Sequence, residues 1–227
     1  MHLKTLFLDA GAVLVFPNWT RVSGVLAEHG VKVDPATLAA GEPHVRKQID
    51  EPALIRSAPD EKRGRQYFDL VFDAAGVPPS RERDAALDEL RAYHARHNLW
   101  EVVPPDVVPA LERLRRLGLQ LAVVSNANGT LCAKFERVGL ARCVDCVIDS
   151  ADVGIEKPDA RIFECALERL GARRASTLHV GDIYHVDVVG ARAAGIRAML
   201  LDPLDLYTDY PCERVGSLDE LVTRVTA

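Results

Sequence analysis

Five side chains have types and positions suited to phosphoryl chemistry. Asp9 closes the apolar run Leu6-Phe7-Leu8 and opens a small-residue turn, Ala10-Gly11-Ala12. A carboxylate there can attack phosphorus, form an acyl-phosphate and split one hard displacement into two easier ones. It equally suits an aspartate that simply ends a strand. Ser125-Asn126 follow Leu121-Ala122-Val123-Val124, where a hydroxyl and backbone amides can bind a phosphoryl oxygen. The same pair also suits a plain helix cap. Lys157 stands in Gly154-Ile155-Glu156-Lys157-Pro158-Asp159, in a chain with six lysines against 22 arginines. A compact ammonium neutralises a phosphate without imposing a planar fork, although a loop lysine needs no such role. In Val180-Gly181-Asp182-Ile183-Tyr184-His185-Val186-Asp187, two acids lie five residues apart. Paired carboxylates suit Mg2+, a hard cation that binds phosphates. His185 reads first as a helix-start histidine and second as a ligand or proton carrier.

All of these residues need the carboxyl ends of buried strands, where open α/β sheets place ligands. Residues 3–8, 119–125, 146–148, 177–180 and 198–201 are apolar runs without alternation, the pattern of strands buried on both faces. Helices are predicted from Pro104-Pro105-Asp106 to Gly118 and over 128–138, 159–171, 186–194 and 217–225. Alternating strands and helices predict a doubly wound, mainly parallel sheet. Gly181 is expected to let the backbone turn closely, and Gly190 to allow tight helix packing.

Residues 17–100 differ. They show no convincing strand and four helical stretches, near 19–29, 36–49, 60–75 and 81–97, separated by Gly30, Pro52, Pro59 and Gly76-Val77-Pro78-Pro79. The expected organisation is an α/β core of 1–16 and 101–227 with a smaller all-helical cap of 17–100. Arg63, Arg65, Tyr67, Tyr93, His94 and His97 are the cap residues whose types suit a substrate, although a solvated helical surface explains each of them more simply.

Bulk properties set further bounds. The 227 residues are 48% hydrophobic and 27% charged, with a net charge of −5. That is an ordinary globular composition, and no basic face for nucleic acid is present. The first apolar run is too short for a signal peptide or membrane span, which predicts a cytoplasmic protein with no membrane partner. Cys132, Cys143, Cys146, Cys165 and Cys212 are odd in number and scattered. They predict no disulfide framework, and Cys143-Val144-Asp145-Cys146 lacks the second pair that zinc needs. Nothing in the sequence sets the oligomeric state.

Taken in order, these motifs resemble the haloacid dehalogenase (HAD) superfamily of hydrolases, in the branch with a helical cap after the first strand. The matching residues are Leu6-Phe7-Leu8-Asp9-Ala10-Gly11-Ala12-Val13-Leu14, Val123-Val124-Ser125-Asn126, Lys157-Pro158 with Ile162-Phe163, and Gly181-Asp182 with Asp187 and Gly190-Ala191-Arg192-Ala193-Ala194-Gly195. The resemblance spans essentially the whole chain. It implies that Asp9 is the nucleophile and that Ser125, the amide of Asn126 and Lys157 bind the phosphoryl group. Asp9, the Gly11 carbonyl and Asp182 would hold Mg2+, and Asp187 would support the metal or orient Lys157. The expected activity is a Mg2+-dependent phosphatase acting on a small phosphorylated metabolite.

One departure stands out. Family phosphatases usually carry a second aspartate two residues after the nucleophile, as general acid/base, followed by Gly and Thr. Here those positions are Gly11, Ala12 and Val13. By residue type, His185 and a cap histidine such as His94 are candidates to replace that acid, and a metal-bound water is a further candidate. The departure also keeps two alternatives in view, a 2-haloacid dehalogenase with Asp9 attacking carbon and a weakly catalytic binding or regulatory member; a phosphonate hydrolase using a cap lysine is a further option, although none of Lys32, Lys47 and Lys62 sits in a recognisable motif.

Overall fold

The computed structural model describes residues 3–57 and 60–226, without the side chains at 54 and 56–63. Pro59 and the side chains of Lys62 and Arg63 therefore lie outside the described residues. The chain divides into two compact units, one of Met1–Phe16 with Glu101–Ala227 and one of Pro17–Trp100.

The first unit is built on β1 (Thr5–Leu8), β4 (Gln120–Ser125), β5 (Cys146–Asp149), β6 (Thr177–Gly181), β7 (Arg197–Leu201) and β8 (Glu213–Val215). They form one six-stranded sheet in the order β5-β4-β1-β6-β7-β8. Every neighbouring pair is parallel. The remaining strands, β2 (Phe16–Pro17) and β3 (Trp100–Val102), pair with each other where the chain passes between units. The sequence reading missed β2, β3 and β8, because two or three residues without an apolar run carry no periodic signal.

Strand parity sorts the core. Phe7, Ala122, Val124, Ile148, Ala198 and Leu200 join one buried cluster with Ile162 and Phe163 of α9 (Ala160–Leu170) and Ala191 of α10 (Val189–Ala193). Residues of the other parity, Leu6, Leu8, Leu121, Val123, Leu178 and Val180, are equally buried. Both faces are covered, as an all-parallel sheet requires. Each fully buried Val, Leu, Ile or Phe side chain among them contributes about 1.5–3 kcal/mol. α6 (Val107–Arg116) and α11 (Leu218–Thr226) pack on each other and are joined by the Arg113–Asp219 ion pair.

The connection after β6 differs from the helix expected over 186–194. The chain first makes a π-helical turn, Tyr184–Val188, and only then enters α10. Gly190 is held to glycine by packing, since a Cβ there would lie 2.9 Å from Pro158 Cα and 3.0 Å from Phe163 Cε2. α7 (Leu131–Arg137) is shorter than the predicted 128–138, because the preceding loop is tied down as described below.

The second unit holds α1 (Trp19–Glu28), α2 (Pro35–Ile49), α3 (Pro52–Ser57), α4 (Asp60–Ala74) and α5 (Arg81–His97). Side chains of Asn18, Asp34 and Ser80 cap α1, α2 and α5 by accepting from the amides of Arg21, Ala36 and Arg83. Val22, Leu26, Leu38, Val45, Phe68, Val71, Phe72, Leu87 and Leu90 fill its core at helical spacing. Tyr67 proves to be a core residue and not a solvated one: it is buried, and its hydroxyl donates to Glu42 Oε1 at 3.0 Å. Tyr93 carries the Arg21 guanidinium 4.0 Å over its ring and packs 4.9 Å from His97. Arg65 is exposed. His94 Nδ1 accepts from the Leu99 amide at 3.1 Å.

Candidate active site

Three neighbouring parallel strands deliver the site. β1 pairs Leu8 with Val123 of β4 on one side and with Val180 of β6 on the other. Asp9, Ser125 and Asp182 therefore leave the same edge of the sheet side by side. The chain order reverses direction about β1, which makes this edge the topological switch point where such sheets bind ligands.

Asp9, Asp182 and Asp187 bring carboxylate oxygens within 4.8 Å of one another. Lys157 enters this acidic group. Its Nζ lies 2.6 Å from Asp187 Oδ1 and 2.8 Å from Asp9 Oδ1. The contact to Asp187 is a well-formed hydrogen bond. The contact to Asp9 is ionic only and leaves that oxygen without a directed donor.

Asp187 is fully engaged. Its Oδ1 meets both Lys157 Nζ and His179 Nε2, the latter at 2.9 Å, while Oδ2 accepts from the amides of Asp182 and Ile183. The π-helical turn brings Asp187 back beneath the end of β6. Room for it comes from Gly181, where a Cβ would fall 2.0 Å from Asp187 Cγ. Gly181 is thus required by this approach and not by a tight turn.

The electrostatics follow from burial and pairing. Burial disfavours the charged forms of both Lys157 and Asp187. Their mutual attraction, together with Asp9 beside Lys157 and His179 beside Asp187, outweighs it. Lys157 is raised above the ordinary lysine range, and Asp187 is held well below the usual carboxylate range.

Asn126 is also engaged. Its Oδ1 accepts from the Lys157 amide at 2.7 Å, and its Nδ2 donates to the Lys157 carbonyl at 3.0 Å. The side chain clamps the lysine loop, so its backbone amide is the group left for a ligand. Ser125 is buried at the end of β4, and its hydroxyl makes no hydrogen bond among the described residues. The turn after Asp9 is tight: the Ala10 carbonyl accepts from Leu14 and Val15, and Ala12 N donates to Val15 O. The Gly11 carbonyl accepts no backbone amide among the described residues. Positive φ falls at Ala12, at 52°.

His185 lies partly buried in the π-helical turn, edge-to-face with Tyr184 and Tyr210 at 5.0 and 5.8 Å. The CxxC cysteines are free, with Cys143 buried and Cys146 half-buried. No helix among the described residues is long and apolar enough to cross a membrane.

Sequence reasoning overlooked four residues. His179 had a signal, since a polar residue inside a strand buried on both faces must be buried. Asp149 caps α8 (Ser150–Val153) at the Ala151 amide and also accepts from Gly129 and Leu131, which ties down the loop after Ser125. Ser150 adds to this by exchanging hydrogen bonds with Ala127. Lys134 is 2% exposed on α7. Its signal was spacing: it sits three residues after Leu131 and one before Phe135, on the buried stripe.

A family model for haloacid dehalogenase-like hydrolases matches residues 10–195. The chain belongs to the HAD-like hydrolases. This HAD-like hydrolase is 33% identical over 134 residues to a ribulose-1,5-bisphosphate 5-phosphatase of Halopiger xanaduensis, a match covering 52% of the chain and 56% of that relative. The chain therefore spans only somewhat over half the length of that curated relative. Among solved structures, a HAD-hydrolase of Bacillus subtilis bound to magnesium superposes with a TM-score of 0.73 over 100% of both chains, at 16% identity, which speaks to the fold. A 2-haloacid dehalogenase of Pseudomonas syringae gives a TM-score of 0.61 at 25% identity, covering 99% of this chain and 100% of that one. The HAD-like hydrolase thus has both phosphatases and dehalogenases among its relatives.

Proposed function

We infer that this HAD-like hydrolase is a Mg2+-dependent phosphatase that cleaves a small phosphorylated metabolite through an aspartyl-phosphate on Asp9. The observation that carries this reading is the acidic group at the strand edge. Asp9, Asp182 and Asp187 bring three negative charges together, and only one buried ammonium, Lys157, contacts them. A net charge of −2 repels a phosphate monoester unless a divalent cation intervenes. A dehalogenase that attacks neutral carbon has no use for such a charge.

The donor set fits magnesium. Asp9, Asp182 and the Gly11 carbonyl are hard oxygen ligands, and Asp182 lies directly after β6. Asp187, with four protein donors on its two oxygens, fits the role of orienting Lys157. Bound magnesium supplies charge neutralisation and fixes the phosphoryl oxygens, which dominates catalysis of phosphoryl transfer.

The chain's own residues do the rest. An Asp9 carboxylate oxygen bonds to phosphorus as the ester P–O bond breaks, and the leaving oxygen departs with the electron pair and takes up a proton. Lys157 holds Asp9 in place, and Ser125 with the Asn126 amide binds the transferring group. Water then attacks phosphorus, releasing phosphate and restoring Asp9. The helical unit Pro17–Trp100 serves as the cap that selects the substrate, and the working compartment is the cytoplasm.

The dehalogenase reading keeps one observation in its favour, the absence of a carboxylate at Gly11, alongside the solved-structure similarity reported above. One assay separates the two. Release of an aryl alcohol from an aryl phosphate should require magnesium, stop with chelator and disappear in Asp9→Asn. Chloride release from a 2-haloacid in the presence of chelator would replace this reading with the dehalogenase. A folded protein that turns over neither substrate would point to a binding or regulatory role.

A further inference from the structure

Two lysines are buried in the α/β unit, and they are committed to different degrees. Lys157 Nζ already faces Asp187 and Asp9 at 2.6 and 2.8 Å. Lys134 is 2% exposed, yet its ammonium makes no hydrogen bond or ion pair among the described residues; its one close partner is the Phe135 ring, 5.9 Å away. A buried ammonium without hydrogen bonds is costly to keep. The carboxylates that act on it most strongly are Asp9 and then Asp149. Asp149 is engaged by three amides, of Gly129, Leu131 and Ala151. Asp9 makes its ion pair with Lys157 and none with Lys134 among the described residues.

We propose that Lys134, together with the Ser125 hydroxyl, is the anion-binding pair of this site, and that Lys157 chiefly holds Asp9. The assignment rests on the phosphatase reading and deepens it. Charge counting supports it. Asp9, Asp182, Asp187, Lys157 and one divalent cation sum to zero, so a dianionic phosphate monoester would arrive with both charges uncompensated. Lys134 is the remaining buried cation of the α/β unit among the described residues. Ser125 is buried too, makes no hydrogen bond of its own among the described residues, and ends the strand that leads into α7. The loop between them is fixed by Asp149 and Ser150, so both groups are preorganised. Burial pushes the Lys134 ammonium down to about 8, against the pull of Asp9 and Asp149, and it stays charged at neutral pH.

The test uses inorganic phosphate as the probe, titrated calorimetrically into the full chain at neutral pH with magnesium. Lys134→Met should weaken phosphate binding by about 10- to 100-fold, the loss of one charge-assisted hydrogen bond. Lys134→Arg should keep most of the affinity. Magnesium affinity without phosphate should be unchanged, and the melting temperature of Lys134→Met in chelator should equal or exceed wild type, because a buried uncompensated charge is gone. Wild-type phosphate affinity in Lys134→Met would overturn the assignment, as would a wild-type protein that binds no phosphate. Failure of both Lys134→Met and Lys134→Gln to fold would also overturn it, by making the charge structural. A wild-type protein that binds phosphate but hydrolyses no aryl phosphate would sink the phosphatase reading alone.

Discussion

Gly11 is the residue on which the chemistry turns. A carboxylate two positions after Asp9 would protonate the leaving oxygen, and general acid catalysis contributes about 10²–10⁴-fold. With glycine there, turnover should fall steeply as the leaving group becomes more basic, so aryl phosphates should far outpace alkyl phosphates. The backbone permits a side chain at this position, since the left-handed residue of the turn is Ala12. Gly11→Asp should raise the rate on alkyl phosphates by about 10²-fold or more and leave aryl phosphates nearly unchanged. Steady-state rates on a leaving-group series check this; equal gains on both classes would show that proton delivery is not what Gly11 lacks. The motif residues at this scale could be read because aspartate, serine and lysine stood beside apolar runs. Lys134 escaped because a helical lysine reads as solvated, and Asp149 because nothing in its spacing marks a three-amide acceptor.

Among the elements, the junction of β6 with its π-helical turn divides labour between two acids. Asp182 leaves the strand end toward the other site residues, whereas Asp187 returns beneath the strand, where four hydrogen bonds hold it, one of them from Lys157. Asp182→Asn should therefore weaken magnesium binding by tenfold or more. Asp187→Asn should act less on the metal and more on stability, costing about 3–5 kcal/mol, because it leaves a buried ammonium short of a partner. Magnesium titration and denaturant unfolding of both variants check this, and equal effects on magnesium would contradict the division. Long apolar strands were legible because burial on both faces writes a continuous run. The π-helical turn was not, because it looks like the start of an ordinary helix, and β8 was not, because Glu-Arg-Val has no run to show.

For the whole molecule, alternation of strands and helices was enough to infer the parallel doubly wound sheet, since parallel neighbours need crossover connections. What sequence could not supply was which side chains are already spent. Asn126, Asp149 and Asp187 are consumed by internal bonds, whereas Ser125 and Lys134 are not; that distinction depends on contacts between segments 20 to 31 residues apart. It also frames the choice between attack on phosphorus and attack on carbon. Multiple turnovers in 18O-water, followed by mass spectrometry of released phosphate and of the peptide containing Asp9, decide it most directly. With magnesium and an aryl phosphate, the label should enter phosphate and be absent from Asp9, because water attacks phosphorus. With a 2-haloacid as substrate, label accumulating in the Asp9 carboxylate would show attack on carbon through an aspartyl ester and contradict the aspartyl-phosphate.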